Sequence, residues 1–207
     1  MSSEDQNDSY TIAMLAQVFK TRFDPLFFKV AKALRLSSLS PNVLTLLGVI
    51  VNAVASFFIA YGKWRWAGLL VLIGGMFDVL DGAVARINGK ATSFGVFFDS
   101  VMDRFSDFLL FIAFVFYYAT KGDIDNMLLS LFSMMGSIMV PFCRARAEVF
   151  LSSCKVGWLE RPERIILISI ALFSGWVVPI LWVILVFSFI TVLQRIRYTY
   201  QMLSEGR

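Results

Sequence analysis

The sequence predicts an all-α polytopic membrane protein, with six transmembrane helices preceded by an N-terminal interfacial amphipathic helix. Of its 207 residues, 58% are hydrophobic and only 16% are charged, and the mean hydropathy is +0.72. That balance is typical of chains that cross a membrane several times rather than of soluble domains. A span needs about 20 largely apolar residues. Six stretches approach or exceed that length: 42–61, 66–86, 94–119, 126–147, 162–177 and 179–200.

The first 40 residues are predicted to form a cytoplasmic or interfacial amphipathic segment. Between Tyr10 and Leu36, apolar residues recur among basic ones, and Pro25 interrupts the run. This pattern favours one or two amphipathic helices that lie in the membrane interface with their bases toward anionic headgroups. A solvated leader that packs on nothing is the alternative. Because Met1–Tyr10 is polar and acidic, it lacks the basic start and apolar run of a cleaved secretion signal.

Residues 41–207 are predicted to form one six-helix membrane domain, since no internal repeat or low-complexity tract divides them. Ser40 and Pro41 open the first span in a common way. Serine is a favoured N-cap, and proline is favoured at the first helical position.

The basic residues predict the orientation of this domain. If the N-terminus lies inside, only Lys63, Arg65 and Lys121 of the 19 lysines and arginines fall outside. Cytoplasmic loops carry such an excess of positive charge. We therefore expect a multi-pass protein of the cytoplasmic membrane, with both termini and the functional site on the cytoplasmic side.

Missing and rare residue types exclude several classes of function. The chain contains no histidine, which removes Ser-His triads, His-liganded zinc and histidine general bases. Its two cysteines, Cys143 and Cys154, fall on the predicted cytoplasmic side, where thiols stay reduced. The net charge of +4 requires no nucleic-acid partner, because the topology uses most of the bases.

Four aspartates stand where the second and third spans should be apolar. Asp78 and Asp81 are three residues apart, and Asp99 and Asp103 are four apart, so each pair lies on one face of its helix. Near mid-bilayer each carboxylate costs roughly 2.5–3.5 kcal/mol, a cost that some ligand must offset. Two facing pairs supply the oxygen ligands that Mg²⁺ or Mn²⁺ prefers. A set of interhelical polar contacts is the alternative.

The residues between the aspartates leave room for a large, negatively charged ligand. Gly82, Ala85 and Gly95 are small, and Arg86 adds a fixed positive charge suited to a phosphate. We interpret Asp107, one turn beyond Asp103, as a structural partner of Arg104 rather than as a fifth ligand.

Together these residues form the pattern D-x2-D-G-x2-A-R-x8-G-x3-D-x3-D, complete from Asp78 to Asp103. It resembles the signature of the CDP-alcohol phosphotransferase family. The resemblance implies transfer of a phosphatidyl group from CDP-diacylglycerol, or a CDP-linked ether lipid, to a hydroxyl with release of CMP. It also implies two Mg²⁺ ions, with Mn²⁺ as a substitute, held by Asp78, Asp81, Asp99 and Asp103. Asp103 would further act as general base, and the protein would be a homodimer.

The resemblance extends to the CDP-lipid contacts. Pro41-Asn42-x-x-Thr45 resembles the family's N-terminal element that touches the cytidine diphosphate, although both polar residues also suit helix capping. Gly82 lies on the face of Asp78, and Arg86 follows one turn later. Thr92 matches a nucleotide-contacting position, or is simply a turn residue.

A second region resembles the phosphatidylinositol-phosphate synthase branch of that family, including its archaeal ether-lipid relatives. It comprises the runs Arg144-Ala-Arg146-Ala-Glu148 and Gly157-x-x-Glu160-Arg161-Pro162-Glu163-Arg164, with Gln194-Arg195. The branch implies a phosphorylated polyol as acceptor, inositol 1-phosphate. A phosphate dianion near the bilayer needs several charged donors. The implied acceptor contacts are Arg144, Arg146, Arg161, Arg164 and Arg195, although topology alone would explain two or three of them.

Two alternatives remain open on sequence. Pro141 departs from the serine usual in that branch, and a lost hydroxyl with a helix kink would reshape the inositol site, so glycerol 3-phosphate is the alternative acceptor. An ion channel or transporter with an acidic intramembrane site is the other. Transport predicts access from both faces, whereas the charges here cluster at one end and show no inverted half-repeat.

Overall fold

The computed structural model describes residues 40–87 and 92–205, which form six α-helices and no strands. The predicted interfacial helix therefore lies outside the described residues. The helices are α1 (Pro41–Ala60), α2 (Trp64–Ile87), α3 (Ser93–Thr120), α4 (Ile124–Ala147), α5 (Arg161–Ser174) and α6 (Val177–Glu205). Each corresponds to one predicted apolar stretch.

Short polar signals determine where these helices begin. Ser40 is the N-cap of α1 and Pro41 its first residue, as expected, although the Ser40 side chain makes no capping hydrogen bond. Thr92 caps α3 by accepting from the Gly95 N–H at 3.0 Å. Helix α5 opens with a capping box, in which the Glu160 and Glu163 side chains each accept from the other residue's N–H.

The fifth predicted span is wrong at its end. Helix α5 has 14 residues and stops at Ser174, because Gly175 adopts the left-handed conformation with φ of 78° and turns the chain into α6. At about 1.5 Å per residue, α5 is roughly 21 Å long, shorter than the hydrocarbon core of a bilayer.

Of the six helices in the described part of the chain, three are long and apolar enough to cross a membrane by length and composition: Pro41–Ala60, Ile124–Ala147 and Val177–Ser204. Their outward faces carry large exposed apolar side chains such as Phe57, Phe132 and Trp182. Helices α2 and α3, which are long as well, carry the four aspartates among their apolar residues.

The helices pack so that the start of one helix lies beside the end of the next. Helix α1 packs on α2 and α3, α4 packs on α3 and α6, and α5 packs on α2 and α6. Small residues permit close approach. A Cβ on Gly74 would lie 2.6 Å from Asn52 Oδ1, and one on Gly136 would lie 3.0 Å from Ser188 Cβ. As successive helices alternate in direction, one end of the bundle collects the starts of α1, α3 and α5 and the ends of α2, α4 and α6.

Candidate active site

The four aspartates converge at this end of the bundle, from the last turns of α2 and the first turns of α3. Their charges interact across the helices: Asp99 and Asp78 both act on Asp81, and the same two act on Asp103. Asp81 is buried, whereas the other three are partly buried. The predicted pairing of two acidic helix faces is therefore present in the structure.

A guanidinium lies between the two faces. Arg161 Nη1 is 2.6 Å from Asp78 Oδ2 on α2 and 2.7 Å from Asp103 Oδ1 on α3. The latter contact is an ion pair by distance without the alignment of a hydrogen bond, since Asp103 Oδ1 has no hydrogen-bond partner. Sequence reasoning places Arg161 at the acceptor phosphate; in the structure it lies among the carboxylates.

The donor atoms fit a hard divalent cation. Asp99 Oδ1 is buried and accepts no hydrogen bond, and the buried Asp103 Oδ1 is held only by its ion pair with Arg161, so both oxygens can act as ligands. The distances are not those of a closed metal cage, because within residues 40–87 and 92–205 no three acidic or cysteine side chains lie close enough to ligate one ion.

Three predicted CDP-lipid contacts lie beside the aspartates. Thr45 Oγ1 donates to Asp81 Oδ2 at 2.5 Å, which ties α1 to α2. A Cβ built on Gly95 would lie 3.1 Å from Thr92 Oγ1 and 3.5 Å from Asn42 Oδ1, so these two polar side chains share the start of α3. Thr45 thus orients a carboxylate, and Thr92 is a helix cap.

Beside them, Gly82 faces open space. A Cβ there would meet nothing within 4 Å, as expected for a position that leaves room for a ligand. Arg86 lies in the last turn of α2, and its side chain is outside what the structure describes. On the opposite side, Gly48 lets α1 approach Asp78, since a Cβ there would lie 3.2 Å from Asp78 Oδ1.

The predicted partner of Asp107 is wrong. Asp107 is buried and pairs with the equally buried Arg164 of α5. Arg161 Nε lies 3.9 Å from Asp107 Oδ1. Arg104 turns back instead to donate to the Ser100 backbone carbonyl and, at 2.7 Å, to Ser100 Oγ. The spacing of three residues makes an Asp107–Arg104 pair feasible, but burial decides otherwise, because Asp107 faces α5 inside the bundle.

Pro141 has a structural consequence for the same arginine. Helix α4 continues through Pro141, which has no N–H to donate to the carbonyl four residues earlier, that of Ser137. Arg164 Nη1 donates to this Ser137 oxygen at 3.4 Å. The departure from serine therefore supplies an acceptor for a buried arginine, which links α4 to α5.

Arg144 and Arg195 converge on one carboxylate oxygen. Glu160 Oε1 accepts from Arg144 Nη1 at 3.3 Å and from Arg195 Nη2 at 2.9 Å. Helix α6 packs beside α4, which brings these two arginines together. Arg195 is buried and also donates to the carbonyls of Val140, at 2.6 Å, and Val156, at 2.8 Å. Two cationic groups from different helices are thereby held at a single point.

The remaining predicted acceptor residue, Arg146, is exposed. It lines a cavity of about 380 Å³ together with Arg195 and the aromatic side chains of Phe142, Phe150 and Tyr200. The five arginines therefore occupy three environments: among the aspartates (Arg161), inside the bundle against Asp107 (Arg164), and around Glu160 and the adjoining cavity (Arg144, Arg195, Arg146).

The loop between α4 and α5 is tied to its surroundings by Glu148. This carboxylate accepts from Arg144 Nε at 3.0 Å and from the Cys154 N–H at 3.2 Å. Burial disfavours the charged form, but these two hydrogen bonds outweigh it and keep the pKa of Glu148 below its ordinary value.

Three residues shape this loop in ways that the sequence analysis did not predict. Thr191 Oγ1 accepts from the Trp158 and Leu159 N–H groups at 3.2 and 3.1 Å. Gly157 has φ of 126°, and a Cβ there would lie 2.4 Å from Thr191 Cγ2, so only glycine fits. Glu160 is the third, and its signal is visible: an acid three residues before Glu163 at a helix start suggests a capping box.

Comparison with known proteins agrees with this geometry. A family model described as CDP-alcohol phosphatidyltransferase matches residues 38–194. The chain is 33% identical to the archaetidylinositol phosphate synthase of Pyrococcus horikoshii, over 86% of this chain and 93% of that protein. It is 34% identical to the phosphatidylinositol phosphate synthase of Mycobacteroides abscessus, over 80% of each.

Solved structures of one further enzyme are similar as well. The crystal structure of Mycobacterium tuberculosis phosphatidylinositol phosphate synthase with CDP-DAG bound matches with a TM-score of 0.74 and 27% identity, covering 85% of this chain and 94% of that one. Its complex with manganese and citrate matches with a TM-score of 0.76 and 28% identity, covering 84% and 88%.

The apolar helices, the acidic residues at one end of the bundle and the family match together define a membrane-embedded phosphotransferase. The chain belongs to the CDP-alcohol phosphatidyltransferase family. It is therefore a multi-pass membrane enzyme, and the channel or transporter interpretation is set aside.

Proposed function

We propose that the protein transfers a phosphatidyl group from CDP-diacylglycerol, or a related CDP-linked ether lipid, to inositol 1-phosphate, forming phosphatidylinositol phosphate and CMP. The observation that carries the proposal is the arrangement of two acidic helix faces and five arginines at the same end of the bundle. The names of the similar proteins support the same acceptor, and the CDP-DAG complex of the M. tuberculosis enzyme supports the donor.

Asp78, Asp81, Asp99 and Asp103 would hold two divalent cations, Mg²⁺ or Mn²⁺. The buried oxygens of Asp99 and Asp103 that accept no hydrogen bond support this assignment, as does the manganese in the M. tuberculosis enzyme. When bound, such ions neutralise the diphosphate and the leaving CMP. Thr45 restricts the orientation of Asp81 through its hydrogen bond, so that one carboxylate oxygen remains for a ligand.

Asp103 would also accept the proton of the attacking hydroxyl. It lies on α3 beside Arg161, the arginine nearest the carboxylates, so an acceptor whose phosphate binds the arginines would place its hydroxyl toward Asp103. Asn42, Thr45, Gly82, Arg86 and Thr92 would line the CDP-lipid site. The open space at Gly82 and the position of Asn42 beside Thr92 support that assignment.

The site for the acceptor phosphate would comprise Arg144, Arg146, Arg161, Arg164 and Arg195. Of these, Arg144 and Arg195 are the best supported, because they already share one anionic oxygen, that of Glu160. A phosphate presents the same kind of acceptor, and guanidinium groups bind it with directed hydrogen bonds. Arg164 would contribute through its position rather than by contact, since Asp107 already pairs with it.

The cellular arrangement follows the same reasoning. We propose six transmembrane helices over residues 41–207 and an interfacial segment over residues 1–40. The site and both termini would lie on the cytoplasmic side, and the protein would form a homodimer. The bias of basic residues toward one end supports the sidedness.

The test is an in vitro assay of CMP release by the purified full-length protein with Mg²⁺ and CDP-diacylglycerol. Inositol 1-phosphate, glycerol 3-phosphate and free inositol would be compared as acceptors. We expect inositol 1-phosphate to give the highest kcat/KM, and free inositol to be a poor acceptor because it lacks the phosphate. Preference for glycerol 3-phosphate would support the alternative raised by Pro141, and equal use of free inositol would contradict a phosphorylated acceptor.

A further inference from the structure

Arg161 occupies an unusual place for a residue expected to bind substrate. Its Nη1 lies 2.6 Å from Asp78 and 2.7 Å from Asp103, so one nitrogen joins α2 to α3. The side chain, only 18% exposed, approaches from the first residue of α5. A positive group among repelling carboxylates supplies the charge that a bound cation would otherwise supply.

The guanidinium is poorly hydrogen-bonded where it lies. Its Nε and Nη2 are buried and have no hydrogen-bond partner. Arg195, by contrast, engages Nε, Nη1 and Nη2 with three separate acceptors. Buried donors without acceptors are unfavourable, so charge rather than hydrogen bonding keeps Arg161 in this position. A divalent cation, which has the higher charge, would readily replace the guanidinium in such a contact.

We propose that Arg161 is an exchangeable counter-ion, which neutralises Asp78 and Asp103 when no metal is bound and is released to the acceptor phosphate when a divalent cation displaces it. This inference rests on the metal site of the proposed function. Release would require only rotation of a long side chain. The preceding residue, Glu160, holds Arg144 and Arg195, so the displaced guanidinium has these two arginines of the proposed anion site beside it.

The consequence is a coupling between two ligands. If the metal frees Arg161 for an anion, then metal and anion each strengthen the binding of the other by the same factor. The metal would therefore bind before the acceptor, because without metal Arg161 is held by Asp78 and Asp103 and does not contact the acceptor phosphate. Asp107, at 3.9 Å from Arg161 Nε, is too far to replace either contact.

The test measures Mn²⁺ binding to the purified full-length protein without substrate, by the electron paramagnetic resonance signal of free Mn²⁺. Arg161→Gln removes the competitor, so it should bind Mn²⁺ about 10-fold more tightly than the native protein, within the usual range of coupling. Arg197→Gln is the matched control: it removes the same charge from an exposed side chain of α6 that belongs to none of the proposed sites, and should change the affinity by less than about 2-fold. Arg161→Lys, which keeps the charge, should restore weaker binding.

A second measurement uses sulfate as a phosphate analogue that does not precipitate Mn²⁺, with chloride matching the ionic strength. Sulfate should tighten Mn²⁺ binding to the native protein and to Arg197→Gln, but not to Arg161→Gln. If Asp78→Asn weakens Mn²⁺ binding while Arg161→Gln leaves it unchanged or weakens it, the exchange is wrong and the metal site stands. If the native protein and Arg161→Gln both fail to bind Mn²⁺, the metal site and the exchange fall together.

Discussion

At the scale of single residues, the aspartates differ in what holds them. Asp78 and Asp103 face Arg161, and Asp81 accepts from Thr45, whereas Asp99 Oδ1 is buried without a hydrogen-bond partner. A carboxylate without a partner contributes little to folding and can serve chemistry. The environment of each residue therefore predicts a different result for the same substitution.

Asp99→Asn should abolish CMP release while leaving the fold intact. Removing one charge from a cluster of repelling carboxylates relieves electrostatic strain, so we expect the metal-free unfolding temperature to stay the same or rise. CMP release with Mg²⁺, size-exclusion chromatography and thermal unfolding in EDTA measure the three quantities. Substantial activity in this variant would contradict the role of Asp99 as a metal ligand.

Asp103→Asn should separate catalysis from binding. If Asp103 is the general base, turnover should fall by about 10²–10⁴-fold while the affinity for the CDP-lipid falls only modestly. Steady-state kinetics and a direct lipid-binding measurement distinguish the two. Comparable losses in turnover and in CDP-lipid affinity would indicate that Asp103 is only a metal ligand. Asp99→Asn shows what the loss of a metal ligand does to these two quantities.

At the scale of helices, the contact between α3 and α5 depends on a buried ion pair. Asp107 and Arg164 are both almost inaccessible, and Arg164 reaches α4 as well, through the carbonyl that Pro141 leaves without its helical donor. This arrangement connects three helices at the site. The start of α5, with Glu160 and Arg161, takes its position from these contacts.

Breaking this pair from one side should be costly. Asp107→Asn or Arg164→Gln leaves an uncompensated buried charge, worth about 3–5 kcal/mol. We expect a marked fall in the unfolding temperature for either variant, measured in detergent, and a partial recovery in the double variant Asp107→Leu/Arg164→Met. Arg146→Gln, at an exposed position, should leave the unfolding temperature unchanged. If the single variants are as stable as the native protein, the pair does not hold α5.

At the scale of the whole molecule, the proposed acceptor site depends on chain segments far apart in sequence. Arg195 near the end of the chain, Arg144 on α4 and Glu160 before α5 meet at one oxygen. Thr191 and Gly157 hold the intervening loop against α6. The proposed site for the acceptor phosphate is therefore formed by the assembled bundle rather than by any one helix.

Arg195→Gln should raise the KM for the acceptor strongly and leave CDP-lipid binding nearly intact. A charge-assisted contact contributes about 1.5–3 kcal/mol, equivalent to roughly 10–150-fold in affinity. Because Arg195 also donates to the carbonyls of Val140 and Val156, thermal unfolding must be measured in parallel. Arg144→Gln, which lacks those backbone contacts, should raise the acceptor KM without loss of stability. An unchanged KM in both would show that the phosphate binds elsewhere.

Much of this protein could be predicted from local pattern. The apolar stretches predict six helices, and their boundaries agree with the structure to within a few residues except at the ends of the last two, where Gly175 ends α5 early and α6 continues to Glu205. The spacing of Asp78 with Asp81, and of Asp99 with Asp103, predicts two acidic faces. Helical periodicity is local, so these features follow from residues close together in the chain.

The partners of the arginines could not be predicted in this way. Arg161 lies among aspartates rather than at the acceptor arginines, Arg164 takes Asp107 in place of Arg104, and Arg195 joins Arg144 through Glu160. Long charged side chains have several partners within reach, and the choice depends on which groups the helix packing buries and leaves without water. Sequence alone thus determined the helices, the acidic faces and the family. Only the tertiary structure decided which charges meet, because burial sets the cost of leaving each of them unpaired.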